Sequence, residues 1–138
     1  MFIMKEIKGK RFICNVDDVE TWVLPWGHIK LLSEPKDDMT AAIVNCFPGA
    51  GHERHNHPGS AELLFVLEGE GDQTIEIEGK IEKQRIKKGD LVTIPPKTFH
   101  STINAGAAPL VLLAIYQINQ KLVRDPGWKV EPPKNRSV

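Results

Sequence analysis

The sequence predicts an all-β protein, a sandwich or barrel of short strands forming one domain. Three observations predict it: apolar or alternating runs of four to seven residues, clusters of Gly and Pro between them, and no amphipathic helix of length. A chain of 138 residues suits a single core, and 41% apolar with 26% charged residues is ordinary for a globular domain.

In chain order, residues 1–38 read as a leader that packs along the barrel or across to a partner, with a short helical turn opening at Asp17-Asp18, since Asp favours the N-cap. Strands are expected at Ala41–Phe47, Glu62–Leu67, Gln73–Glu78, Leu91–Ile94 and Leu110–Tyr116. Turn clusters separate them, among them Pro48-Gly49-Ala50-Gly51, Pro58-Gly59-Ser60 and Lys88-Gly89-Asp90. In Gln73–Glu78 the alternation sends Gln73, Ile75 and Ile77 inward and Glu76 and Glu78 to water. Leu63–Leu67 is apolar on both faces, so its outer side requires a cover: another sheet, the leader or a partner subunit. The tail, residues 125–138, carries Pro126, Pro132 and Pro133 and is expected to be extended or loose.

Charge and composition exclude several function classes. Lys and Arg number 18 against 18 Asp and Glu, and the Lys80–Lys88 stretch is broken by Glu82, so no basic patch addresses nucleic acid. The longest apolar run, Ala107–Ile115, contains Pro109 and falls short of the roughly 20 residues of a membrane span. No signal-peptide pattern is visible at the amino end, and Cys14 and Cys46 are too few for a disulfide framework. Both cysteines are expected as buried, reduced thiols in a cytoplasmic protein.

Chemistry concentrates in Gly49–Glu62. Residues two apart on a strand project from one face, so His55 and His57 present two imidazoles to one point. The Pro58-Gly59-Ser60 turn then brings Glu62 back beside them, and a carboxylate next to two imidazoles is a common first-row metal arrangement. His52-Glu53-Arg54-His55 is one residue too short for the zincin motif, and a zinc finger lacks its paired cysteines.

These residues resemble the cupin family. Its first motif is Gly, five residues, His, one, His, four, Glu, six, Gly, met here by Gly49, His55, His57, Glu62 and Gly69. Its second is Gly, five residues, Pro, one, Gly, two, His, three, Asn, met by Gly89, Pro95, His100 and Asn104, with Lys97 standing where the pattern has Gly. The resemblance covers a core of about residues 41–116 within a single domain spanning 1–138, and implies a double-stranded β-helix, the jelly-roll barrel. It further implies that His55, His57, Glu62 and His100 hold one divalent transition metal (Fe, Mn, Ni, Co, Cu or Zn). Lys97 places a cation near the rim and puts a tight glycine turn in doubt.

Other polar residues are expected near the pocket. Glu53 shares a strand face with His55 and His57, either lining the mouth or standing as a solvated rim carboxylate. Gln73 either meets a ligand or is a satisfied interior amide; Thr102 shares a face with His100, and Tyr116 offers a phenol. His28 and His52 are expected on the surface, and Trp22, Trp26 and Trp128 over the outer core or an interface. The implied function is a small metalloenzyme of isomerase, decarboxylase or dioxygenase type acting on a small oxygen-bearing substrate. The alternative is a non-catalytic module that binds a sugar or organic acid. A dication offset only by Glu62 is expected to attract an anionic ligand, and the apolar Leu63–Leu67 run with the tryptophan-bearing leader points to a homodimer.

Overall fold

A computed structural model of the chain describes residues 6–7, 10–117 and 122–134. The expectations for residues 1–5 and 135–138 lie outside the described residues. Two short strands, β1 (Glu6–Ile7) and β2 (Lys10–Arg11), pair with each other, and a 3₁₀ turn follows at Val16–Asp18. Its N-cap is Asn15 rather than Asp17: the Asn15 side chain accepts from the Asp17 amide at 2.8 Å.

The remaining strands are β3 (Thr21–Leu24), β4 (Gly27–Leu31), β5 (Thr40–Cys46), β6 (Gly51–His55), β7 (Glu62–Glu68), β8 (Glu70–Ile77), β9 (Lys80–Lys87), β10 (Leu91–Ile94), β11 (His100–Asn104), β12 (Leu110–Tyr116) and β13 (Lys129–Glu131). They form an antiparallel seven-stranded sheet in the order β10-β7-β12-β5-β4-β3-β13 and a four-stranded sheet in the order β6-β11-β8-β9. The inner faces enclose the larger of two core clusters, in which Val44, Leu64, Val66, Leu110 and Leu112 of the large sheet meet Ile86 and, at its edge, half-buried Ile75 of the small one.

All five expected strands are present, each with ends within about three residues of the sequence reading. On β8 the inward parity of Gln73 and Ile75 holds, but Ile77 is exposed because the β8–β9 hairpin extends beyond the sandwich. That hairpin closes through Glu78 and Gly79, both with positive φ, as a two-residue turn that suits the twist of its strands. Nearly all of β9 is solvated, and it is held by β8 through ladder bonds and ion pairs such as Arg85 to Asp72 at 2.9 Å. Its lysines and Glu82 protect an open edge from pairing with another chain.

The leader extends the large sheet edge-on through β3 and β4 instead of covering its outer face. Leu63, Phe65 and Leu67 therefore have no cover among the described residues, and Phe65 is 38% exposed. Part of the tail is pinned, with Lys129–Glu131 pairing with Thr21–Val23.

The turn with the non-glycine substitution is retained. Lys97 adopts φ 66°, its amide donates to the His57 carbonyl at 3.0 Å, and its own carbonyl receives the Asn56 side chain. An L-residue in this region costs about 1–2 kcal/mol, partly offset by the lower chain entropy of a non-glycine unfolded state. Lys97→Gly is accordingly expected to stabilise the fold by about 0.5–1 kcal/mol, read as a rise in the urea midpoint; a fall would contradict the assignment of strain here.

Candidate metal centre

Three strands and one turn deliver the site. His55 closes β6, His57 follows in the turn, Glu62 opens β7 and His100 opens β11. Pairing of β11 with β6 sets His100 opposite His55, and pairing of β7 with β12 sets Glu62 opposite Tyr116. One ligand-capable nitrogen from each of His55, His57 and His100 lies within 4.8 Å of the other two. Glu62, 1% exposed, meets two of the three: Oε1 is 3.2 Å from His100 Nε2 and Oε2 is 3.8 Å from His57 Nε2.

The outward-turned ring nitrogens are engaged by the backbone. His55 Nδ1 lies 2.6 Å from the Glu53 carbonyl, and His100 Nδ1 lies 2.8 Å from the Thr98 carbonyl. Each must carry the proton to donate there, which leaves Nε2 as a lone-pair donor aimed inward and fixes the ring plane. Burial alone would raise the Glu62 carboxyl, but contacts with His100 and the Tyr116 hydroxyl, and the nearby imidazoles, hold it below the usual carboxylate range. Burial would likewise lower His100, yet its contact with Glu62 and its bond to Thr98 hold it above the ordinary histidine value. Burial and the Glu62 carboxylate push the Tyr116 phenol well up, so it stays protonated and donates to Glu62.

The donor set fits a cation. Glu62 Oε2 and His100 Nε2 are buried atoms with no hydrogen-bond partner of acceptable geometry, a costly arrangement that a shared metal ion resolves. Three imidazoles and a carboxylate are also the borderline donors that first-row divalent ions accept.

A cavity of about 360 Å³ opens over the imidazoles. Trp26 and Trp128, with Leu24, Ile29 and Leu122, form its apolar wall, while His52, Glu53, His55, His57 and Tyr116 supply the polar side. One expectation is corrected here. His52 is not a surface histidine: its ring packs edge-on against Trp26 at 4.5 Å, and burial, then His55, push it down to about 4. The cause is a β-bulge. Between the pairs His100–His55 and Thr102–His52, β6 spends three steps against two on β11, so strict alternation fails and His52 turns inward. Trp22 is buried in the second core cluster, and Trp26 and Trp128 pack against it as expected for the outer core while also facing this cavity; His28 lies against Phe47.

Of the other expected pocket residues, Glu53 and Tyr116 reach the cavity. Gln73 and Thr102 do not line it: the Thr102 hydroxyl donates to Gln73 Oε1 at 2.6 Å, and Gln73 Nε2 donates to the Thr74 carbonyl at 3.1 Å. Gln73 is thus a satisfied interior amide, and its side of β8 borders a separate cavity near β10.

Two facing antiparallel sheets with three histidines gathered at one end define a β-sandwich able to hold a metal. The family model of the cupin domain matches residues 42–116, and the chain belongs to the cupin family. It is 37% identical over 86 residues to an uncharacterised protein of Methanocaldococcus jannaschii, covering 62% of this chain and 64% of that one. To glucose-6-phosphate isomerase of Thermococcus litoralis it is 32% identical over 92 residues, covering 60% of this chain and 48% of that one. The chain thus spans about half to two thirds of these relatives. Among solved structures, Bacillus subtilis oxalate decarboxylase, a protein with Mn(II) centres, superposes with a TM-score of 0.65 at 24% identity, over 72% of this chain and 28% of that one. This likeness concerns the fold, a jelly-roll barrel. No helix among the described residues is long and apolar enough to cross a membrane.

Proposed function

We propose that this cupin is a small metalloenzyme acting on a small oxygen-bearing organic molecule. The observation that carries the reading is the convergence of His55, His57 and His100, with Glu62 against two of them, at an open cavity of about 360 Å³. A volume of that size suits a small-molecule ligand. In this reading His55, His57, His100 and Glu62 hold one divalent transition ion. Bound there, the ion would supply Lewis acidity toward a carboxylate, enediol or carbonyl oxygen, and, if iron or copper, reactivity with dioxygen.

The chain's own residues do the rest. The Glu53 and Thr98 carbonyls hold two imidazoles in register, and the Tyr116 phenol steadies the Glu62 carboxylate. The Trp26 and Trp128 wall restricts water, and Glu53 is the exposed carboxylate at the mouth. The glucose-6-phosphate isomerase relatives favour isomerisation, with decarboxylation, the reaction named for a protein of the same fold, as the alternative. Proton NMR of metal-loaded protein with panels of hydroxy acids, enediols and aldoses tests the reading. Consumption that is lost on chelation and in His100→Ala supports it.

A second reading, binding of a sugar or organic acid without turnover, is favoured by the scarcity of free titratable groups: Tyr116 is committed to Glu62, leaving Glu53 and His52 at the cavity. Ligand binding without consumption in the same panels would select it. We place the protein in the cytoplasm, in keeping with two free cysteines, of which Cys46 is buried with its thiol pushed up to about 11 and Cys14 is half-buried.

We also propose a homodimer through the outer face of the large sheet. Leu91, Phe65, Leu113 and Ile43 lie in one row across β10, β7, β12 and β5, and Leu63, Ile115 and Ala41 form the next row. Such a flat apolar face suits a second copy of itself, since an isologous contact needs only one self-complementary patch. Light scattering at micromolar concentration is expected to give twice the chain mass of 15.5 kDa, reverting to monomer in Leu113→Lys. A wild-type monomer would contradict the proposal.

A further inference from the structure

The cavity wall says which oxygen ligands it accepts. Among the described residues that line it there is no Lys or Arg, and its charged residue apart from the histidines is Glu53 at the mouth. A phosphate dianion entering here would lose water, meet no guanidinium or ammonium, and pass a carboxylate. Lining the same cavity are two half-buried indoles, Trp26 and Trp128, carried by the β3–β4 turn and by the tail just before β13. Trp128 packs against Trp22 with ring centroids 5.9 Å apart, and Trp26 meets the His52 ring edge-on at 4.5 Å, so both present aromatic surface to the cavity. Aromatic walls gain most from a flat, apolar partner whose few polar atoms can all be satisfied at one end.

We propose that the site takes a small planar oxygen chelator with at most one negative charge, an aromatic or enolic hydroxy acid or diketone, seated against Trp26 and Trp128, and that it discriminates against sugar phosphates. This rests on the reading of the histidine triad as a metal centre, and it narrows the substrate class there. The isomerase relatives act, by name, on a phosphorylated sugar; the described residues of this wall offer no Lys or Arg to a phosphate group.

The test uses the full chain loaded with metal, its metal content fixed by elemental analysis. Isothermal titration compares salicylate, oxalate and glucose 6-phosphate as probes. Salicylate is expected to bind at least tenfold more tightly than either of the others. Trp128→Ala should weaken salicylate at least fivefold while leaving oxalate affinity and metal content unchanged, and Trp128→Phe should restore most of the loss. Glucose 6-phosphate binding as tightly as salicylate would overturn the proposal, as would unchanged salicylate affinity in Trp128→Ala. Because the ranking of probes is read on the wild-type chain, it stands even if a variant fails to fold. A chain that takes up no metal removes the metal centre and this proposal with it. A fully loaded chain with no preference among the probes removes this proposal alone.

Discussion

His100→Ala is expected to weaken metal binding by at least roughly 100-fold, more than the 10–100-fold typical of losing an outer-shell partner. His100 is 1% exposed, its Nδ1 is tied to the Thr98 carbonyl, and its Nε2 lies 3.2 Å from Glu62. Truncation removes one of three nitrogens and leaves the buried Glu62 carboxylate without its His100 contact. The measurement is metal per chain after dialysis against a weak chelator, with His28→Ala as control. His28 sits on the outer face of β4 against Phe47, so its loss should leave occupancy unchanged. Equal retention by the two variants would mean that His100 is not a ligand.

Asn104→Ala is the second large effect, and it concerns the fold. This buried side chain makes three hydrogen bonds: Nδ2 donates to the Cys46 carbonyl at 2.9 Å and the Ala108 carbonyl at 2.8 Å, and Oδ1 accepts from the Gly106 amide at 2.8 Å. It therefore joins the end of β5 to the turn between β11 and β12, linking the two sheets at one point. Removing it deletes three hydrogen bonds, one of them to the buried Cys46 carbonyl, a loss of about 3 kcal/mol when each net bond contributes about 1 kcal/mol. For a domain of this size that lowers Tm by roughly 10 °C. Thermal unfolding checks the value. Asn104→Asp, which sets a carboxylate oxygen against the two carbonyls that Nδ2 serves, should be at least as destabilised as Asn104→Ala. A shift under about 2 °C for the alanine variant would show that the turn stands without this side chain.

The parts legible in the sequence were those governed by local spacing. His55 and His57 follow from the two-residue period of a strand, and Glu62 follows from a tight turn, because these relations survive whatever the rest of the chain does. The apolar runs of β5, β7 and β12 announced central strands for the same reason. What failed was set at longer range. The bulge in β6 depends on its pairing with β11, and no residue type at positions 52–55 marks it, so the sequence alone leaves His52 on the surface. Trp26 and Trp128 reach the cavity because β3 joins β4 on one side and β13 on the other, a pairing between segments more than 100 residues apart. Polar β9 carries almost no periodic signal, since only Ile86 of its eight residues is buried. Lys97 shows the reverse case, in which a position that favours glycine keeps its backbone conformation with a different residue.

The central claim is that the triad is a metal centre, and metal stoichiometry tests it most directly. Chelator-stripped protein offered Mn, Fe, Co, Ni, Cu and Zn in turn, then desalted, should retain close to one ion per chain for at least one of them by elemental analysis. A folded chain that retains none of the six would contradict the account.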